Sequence, residues 1–301
     1  MKFSQKYFSL IILVGVVLAF VWPTPGLYLK SYLVYLLGAM MFLSCLKIEL
    51  AELKKIRHDW WRFLIMMVFV FIIPPLLTYF AKIFFIKDEM IFVGMILASA
   101  VPCGISVVFI SDLLRGEPAK ALTATTIAHL ISPIITPLIV WFFAHEIIEV
   151  KFLDISILIL KLVIIPLIIA QIFKYLKWHE SLIKIGGTIN TYLLVFMLWG
   201  IVAPVHELII TNWKITLSSA FVAILIMTIN AIIGARFGRD KKEDITWMVV
   251  STFKNFTLSS VIAMSMFGPM ALLGSVVYGI LSNLSMIPME LLSKIKTKNF
   301  L

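Results

Sequence analysis

The sequence predicts an all-α membrane protein of ten transmembrane helices, built as two inverted five-helix repeats over 1–150 and 151–301. Three observations predict it: an apolar excess that no soluble core can hide, ten apolar stretches of spanning length, and a one-sided distribution of basic residues. Of 301 residues, 61% are hydrophobic and 14% are charged. Soluble domains carry roughly 45–50% and about 25% respectively. A bilayer must therefore act as solvent for much of the surface. A span needs about 20 apolar residues, and such stretches run over 8–22, 27–46, 60–84, 90–114, 119–145, 153–176, 185–205, 213–236, 245–266 and 270–292. The first reads as a span and not as a cleavable signal, because Pro23-Thr24-Pro25 follows it with no small-residue cleavage site. Short loops join the stretches, and no linker or soluble domain stands out.

The basic residues give the orientation. With the N-terminus in the cytoplasm, the inner segments carry Lys2, Lys6, Lys47, Lys54, Lys55, Arg57, Arg62, Arg115, Lys120, Lys174, Lys177, Lys184, Arg236, Arg239, Lys241, Lys242, Lys294, Lys296 and Lys298. The outer segments carry Lys30, Lys82, Lys87, Lys151 and Lys214, which is five against nineteen. That asymmetry obeys the positive-inside rule and sets both termini in the cytoplasm of a multi-pass protein of the cell membrane. The net charge of +10 is then explained by orientation in lipid, with no nucleic-acid partner. Cys45 and Cys103 lie in apolar stretches and form no CxxC pattern. Neither a cofactor nor a metal site is implied.

Five spans that begin inside, followed by five that begin outside, are the arithmetic of an inverted repeat. No residue-level similarity between the halves accompanies it. In such folds the fourth helix of each half is discontinuous. Pro102-Cys103-Gly104 supplies a break near the centre of the fourth span, because proline removes a backbone donor and glycine relaxes the turn. The ninth span has no such pair. It carries Ser251, Thr252, Lys254, Asn255, Thr257, Ser259 and Ser260 instead, and a run this polar must face protein, water or ligand.

Lys254 is the strongest single signal. It lies about ten residues into its span, where a charge costs about 2.5–3.5 kcal/mol on insertion scales. No acidic residue lies where it would neutralise the ammonium inside the membrane. Three readings follow: helix-end carbonyls solvate the ammonium, burial leaves the amine neutral at times, or an anionic substrate is the counter-ion. The last favours anionic cargo. The plainer alternative is a lysine that only holds the helix crossing together. Asn255 and Thr257 can donate to a carboxylate. Thr123, Thr125, Thr126 and His129 follow on the fifth span, and His129 has the titration range of a proton carrier, its plainer reading being a satisfied interhelical hydrogen bond. Asn230, Ser282 and Asn283 read as packing glue. Lys161 reads as a lysine near the outer end of its span, and Pro74, Pro75, Pro133, Pro137, Pro166 and Pro288 as kinks.

At the fourth and ninth spans the chain resembles the bile acid:sodium symporter family, collinear over nearly its whole length. The clearest stretch is Pro102-Cys103-Gly104-Ile105-Ser106, then Arg115-Gly116, then Ala119 through Ser132-Pro133 and Pro137. Met41-Phe42, Lys161 with Pro166, and Phe253-Lys254-Asn255 also fit. The resemblance implies a panel domain, a core domain with discontinuous, crossing fourth and ninth helices, and sodium-driven uptake of organic anions. It also implies where sodium would bind. Sodium-coupled members carry a Ser-Asn pair where this chain has Val107 and Val108. They have Ser at Ala121, Gln at Val70, Glu near Val250 and Gln at Lys254, while Thr125 is kept. Valine supplies no oxygen ligand, and the acid is gone. Both sodium sites are therefore expected to be lost, with Lys254 as a built-in cation.

The expectation is a sodium-independent transporter of a small organic anion by alternating access, with Lys254, Asn255, Thr252, Thr257, Thr125, Thr126, His129, Ser106 and Cys103 at its substrate and coupling site. Proton coupling through Lys254 or His129 and facilitated exchange both stay open. A metalloid exporter using the Cys103 thiolate is the alternative, beside ordinary sodium symport. An enzyme is not expected: Cys103, His129 and Asp112 fall at different depths, and no HExxH, GxSxG or paired aspartate motif occurs.

Overall fold

The computed structural model describes residues 8–48, 59–104 and 106–285. Lys2, Lys6, Lys54, Lys55, Arg57, Ile105, Pro288, Lys294, Lys296 and Lys298, all used above, lie outside the described residues. The described chain folds into helices joined by short turns. They are α1 (Phe8–Val21), α2 (Pro23–Leu29), α3 (Leu33–Cys45), α4 (Trp60–Phe71), α5 (Ile73–Phe85), α6 (Glu89–Ala100), α7 (Ser106–Leu113) and α8 (Pro118–Ala144). There follow α9 (Phe152–Ile159), α10 (Ile165–Tyr175), α11 (His179–Val202), α12 (His206–Thr211), α13 (Trp213–Gly234), α14 (Lys241–Thr252), α15 (Phe256–Met266) and α16 (Pro269–Leu284). Among the described residues, six helical runs are long and apolar enough to cross a membrane: Pro23–Cys45, Trp60–Phe85, Pro118–Ala144, Phe152–Tyr175, His179–Thr211 and Trp213–Gly234. The protein is thus a multi-pass helical membrane protein.

Helix boundaries follow local chemistry. Asp88 caps α6 by accepting from the Ile91 amide at 2.9 Å, and Asp240 caps α14 by accepting from the amides of Lys242 and Glu243. Prolines open α5, α8, α10 and α16, where the missing amide costs nothing. The prolines read as kinks divide into two kinds. Pro74, Pro75 and Pro166 sit in first turns, after the interruption at Ile72 and after a π-helical turn at Leu160–Ile164. Pro133 and Pro137 lie inside α8, which continues through both. Pro133 leaves the His129 carbonyl without an amide donor, and the Ser132 hydroxyl donates to that carbonyl at 2.8 Å. Lys161 lies exposed in the π-helical turn.

The helices pack as two groups. In one, α11 runs along α1, α2 and α3, and α10 packs on α3. In the other, α6 lies against α16, α15 packs on both, and α13 covers α14 and α16. Backbones touch within the second group. A Cβ on Gly94 would lie 1.9 Å from the Ala271 carbonyl oxygen, and one on Gly274 would lie 2.4 Å from that of Ile91. Such close approach through small residues is how helices associate where lipid removes any hydrophobic drive between them.

Ion pairs tie one end of the second group. The buried Glu243 carboxylate receives Lys120 Nζ at 2.9 Å and Arg62 Nη2 at 3.3 Å, which links α14 to α8 and α4. Asp59 pairs with Arg239 at 2.6 Å. That hydrogen bond from Arg239 holds the Asp59 carboxyl below the usual range, and the Glu243 amide does the same for Asp240. Carboxyls depressed in the folded state stabilise it above their unfolded pKa of about 3.9, and the contribution fades as pH falls through the folded value. The melting midpoint in detergent should hardly change between pH 7 and pH 5 on account of these two groups, and replacing Asp240 by Ala should lower it more at pH 7 than at an acid pH where that carboxyl is protonated in the folded state. Gly94→Ala and Gly274→Ala should each cost about 1–3 kcal/mol or more by overpacking, measured as a fall in the same midpoint. Gly38→Ala, where a Cβ meets nothing within 4 Å, should leave it unchanged.

Candidate functional site

The site is built where two helices stop. After Val101 the chain leaves the helical region and takes an extended conformation, and the same happens at Phe253. The two unwound segments run antiparallel. Gly104 donates to the Phe253 carbonyl at 3.1 Å, and Asn255 donates to that of Pro102 at 2.9 Å, on either side of the Cys103–Lys254 pair. The fourth span therefore breaks where proline and glycine predict. The ninth breaks without either residue, because the facing segment supplies the hydrogen bonds that its backbone loses.

The remaining carbonyls of the breaks find side chains. Thr136 donates to the Ala100 carbonyl at 2.9 Å. Lys254, only 4% exposed, directs its ammonium at the Val70 carbonyl and, at 3.5 Å, at that of Val101. Of the three sequence readings for Lys254, this geometry matches solvation by helix-end carbonyls, Val70 in the last turn of α4 and Val101 just after α6. Asn255 is the N-cap of α15: its Oδ1 accepts from the Leu258 amide at 3.2 Å and from the Thr257 hydroxyl at 2.8 Å. Its Nδ2 faces His129 Nε2 at 3.4 Å and the Met41 sulfur at 3.9 Å. His129 Nδ1 lies 2.8 Å from the Thr125 carbonyl, which can only accept, so Nδ1 carries the hydrogen. Nε2 is then an acceptor toward Asn255, and a neutral imidazole satisfies every partner.

Beside the crossing lies a cavity of about 440 Å³ between the two helix groups. Lys254, Asn255, Thr257, Gly104 and Ser106 line its inner end. The helices α7 and α15 begin there, so both present their positive ends to it. The wall from the other group is Ser44, Lys47, Asn190 and Thr191, with Leu37, Met40, Met41 and Leu194 as its apolar part. Ser282 and Asn283 complete the lining near Phe253 and Phe256. No aspartate or glutamate lines the cavity among the described residues.

The other sequence candidates lie behind this wall. Cys103 is fully buried, and its thiol donates to Thr125 Oγ1 at 3.5 Å. Thr125 and Thr126 donate back to the carbonyls of Ala121 and Leu122 within α8, and the buried Thr252 hydroxyl has no hydrogen-bond partner. Val70, Val107, Ala121 and Val250 are buried among apolar side chains, and Val108 is partly buried against them. Asn230 is glue, as read: it donates to the Ser251 carbonyl at 2.5 Å. Ser282 and Asn283 were read the same way, yet they reach the cavity. Sequence reasoning also missed Ser44, Asn190 and Thr191. The run Gly186-Gly187-Thr188-Ile189-Asn190-Thr191, polar inside an apolar span, was the signal available for the last two.

Comparison with known proteins gives two findings. The model of a family described as the Sodium Bile acid symporter family matches residues 34–214. A Bacillus subtilis (strain 168) protein described as "Uncharacterized sodium-dependent transporter YocS" is 26% identical over 291 residues, covering 94% of this chain and 89% of that protein.

The capping geometry carries its own test. Asn255→Ala removes the acceptor for two donors at the start of α15 and should lower unfolding stability by about 1–2 kcal/mol. Thr257→Val, which removes only a donor, should cost less in the same thermal melt.

Proposed function

This chain belongs to the sodium bile acid symporter family, and from that premise we propose that it carries a small organic anion by alternating access without binding sodium, Lys254 standing in for the bound cation. One observation carries the proposal: the Lys254 ammonium is directed at the carbonyls of Val70 and Val101, at the crossing of the two broken helices. Val70, Val107, Val108, Ala121 and Val250 stand where the family's sodium-coupled members present oxygen, by the resemblance set out above. A resident ammonium supplies a positive charge to the crossing with no ion from solution.

Anionic cargo is supported by the cavity. Two lysines and two helix N-termini meet there with no carboxylate among the described lining residues. Its volume suits a small organic molecule, and its mixed lining suits an amphipathic one. We take the two helix groups as panel and core, the chain as ten spans in two inverted repeats over 1–150 and 151–301, and both termini as cytoplasmic in the cell membrane. The cavity reaches Lys47 and Ile183, at helix ends that the charge distribution puts on the cytoplasmic side. This is then the inward-open form.

Ordinary sodium symport is the second reading, favoured by the description of the Bacillus subtilis relative as sodium-dependent. Metalloid export through Cys103 has no such support, since its thiol is turned to Thr125 and away from the cavity lining. Proton coupling would not run easily through His129, whose Nε2 faces an amide donor. Lys254 remains available to it.

Thermal melts of the purified protein in sodium chloride and in choline chloride, at equal ionic strength, separate the first two readings. The expected result is an identical midpoint in both salts. Lys254→Met should melt earlier in both, having left two buried carbonyls without their donor at about 1–3 kcal/mol each. A sodium-dependent rise in the wild-type midpoint, about 2.7 kcal/mol at a hundredfold excess over Kd, would establish the sodium symporter instead.

A further inference from the structure

We propose that the loop between α13 and α14, together with the start of α4, holds the headgroup of an anionic phospholipid, at a site apart from the cavity. The proposal does not depend on which cargo the cavity takes.

The loop and the start of α4 are pinned to each other. Arg239 pairs at 2.6 Å with Asp59, the residue before α4. Arg62 donates to the Phe237 carbonyl at 2.6 Å, and the rings of Phe69 and Phe237 meet edge to face at 4.6 Å. The loop also lies tightly on the first turn of α14. The Gly238 amide donates to Asp244 Oδ1 at 2.8 Å, and a Cβ on Gly238 would lie 2.3 Å from the Asp244 amide nitrogen. These contacts occupy the acidic groups. Asp59 takes Arg239, Asp240 caps α14, Glu243 takes Lys120 and Arg62, and Asp244 takes the Gly238 amide. Arg236, Lys241 and Lys242 are exposed and make no ion pair among the described residues. Lys242 lies near enough to Asp240 to help hold its carboxyl low. The surface thus turns its carboxylates inward and three cations outward, on a backbone that is fixed.

Aromatic and aliphatic side chains place this surface at the edge of a bilayer. Trp60 and Trp61 follow Asp59 directly and are 62% and 51% exposed, as indoles at headgroup level are. From Trp61 an exposed apolar stripe runs through Leu64 and Val68 along α4, at helical spacing. On α13, which packs on α5, exposed Phe221, Ile224 and Ile232 form a second stripe that stops four residues before Arg236. Both stripes offer surface to acyl chains, and both lead to the basic loop. Orienting the helices needs only positive charge. The pinned loop and the inward carboxylates add a fixed arrangement of that charge, beside indoles and above an acyl-chain surface. A zwitterionic headgroup brings its own cation against Arg236 and Lys241. A headgroup with net negative charge brings none, and each lysine or arginine near the membrane surface then contributes about 1 kcal/mol.

Native mass spectrometry of the full chain in detergent tests this, with equimolar phosphatidylglycerol and phosphatidylcholine of identical acyl chains. The readout is the ratio of the two lipid adducts. Wild type should favour phosphatidylglycerol, and Arg236→Gln and Lys241→Gln should each lower that preference about fivefold. Lys241→Arg should retain it. So should the joint control Lys87→Gln with Lys151→Gln, exposed residues of the outer segments. Excess glycerol 1-phosphate should not displace the lipid. Equal adducts in wild type, an unchanged preference in both Gln variants, or an equal fall in the outer control overturns the proposal. A loss in Lys241→Arg as large as in Lys241→Gln overturns it as well, because the charge is kept there. Displacement by glycerol 1-phosphate identifies a site for free phosphate and overturns the lipid reading.

Discussion

Two unwound segments can lie in a bilayer core only if every backbone group they free is satisfied within the protein, since an orphan there costs several kcal/mol. The antiparallel crossing of 101–104 with 253–255 meets that condition, and the rest of the site is a consequence. Gly104 and Asn255 donate across the pair. The carbonyls left over at Ala100 and Val101 take Thr136 and the Lys254 ammonium, which also reaches the Val70 carbonyl of α4. Because the segments are short and pinned on both sides, α7 and α15 start at defined points, and their positive ends fall on one cavity. Helix breaks, the field of two helix N-termini and the polar inner wall of the cavity thus arise from a single hydrogen-bonding problem and its solution.

The same condition explains why the site is polar in depth but not in reach. Thr125, Thr126, His129 and Cys103 form a buried layer behind the cavity wall, mostly bonded to the backbone of α8 itself. Asn255 is the element between layers. One atom caps α15, and the other faces His129. Its orientation is fixed by the helix start, so the state of His129 and the position of the cavity wall are linked through one amide. Mobile parts of the transport cycle are then better sought between the helix groups, where the cavity separates them, than within the layer.

The helical class, the break at Pro102-Cys103-Gly104 and the singular position of Lys254 were all readable in the chain, because each rests on local chemistry or on span length. What stayed hidden depends on which spans meet. Nothing in the residues around Lys254 announces that its partners are carbonyls of Val70 and Val101, since any residue type has a carbonyl. The ninth break had no local signal for a similar reason and was expected only from the inverted repeat and the family resemblance: its cause is a facing unwound segment about 150 residues away, with no proline or glycine of its own. Ser282 and Asn283 read as glue because polar residues in a span serve packing and ligand alike. Only their place beside Phe253 and Phe256 separates the two roles.

A tethered cation differs from a bound one in a single thermodynamic respect: it cannot leave. Sodium that binds and dissociates on each cycle passes the free energy of its gradient to the cargo. On the proposed reading, an ammonium on Lys254 would lend its charge to the crossing and return with it, so it would transfer none. A monoanion moved alone then feels the membrane potential directly, about 2.3 kcal/mol per charge for each 100 mV. With the cytoplasm negative, that force points outward, and uptake would require an inward anion gradient of more than tenfold or a co-transported proton. On the proposed reading, loss of sodium coupling would bear on direction as well as on ion dependence: a substitution that removed the need for sodium would also remove its drive for accumulation, and would point to efflux or exchange.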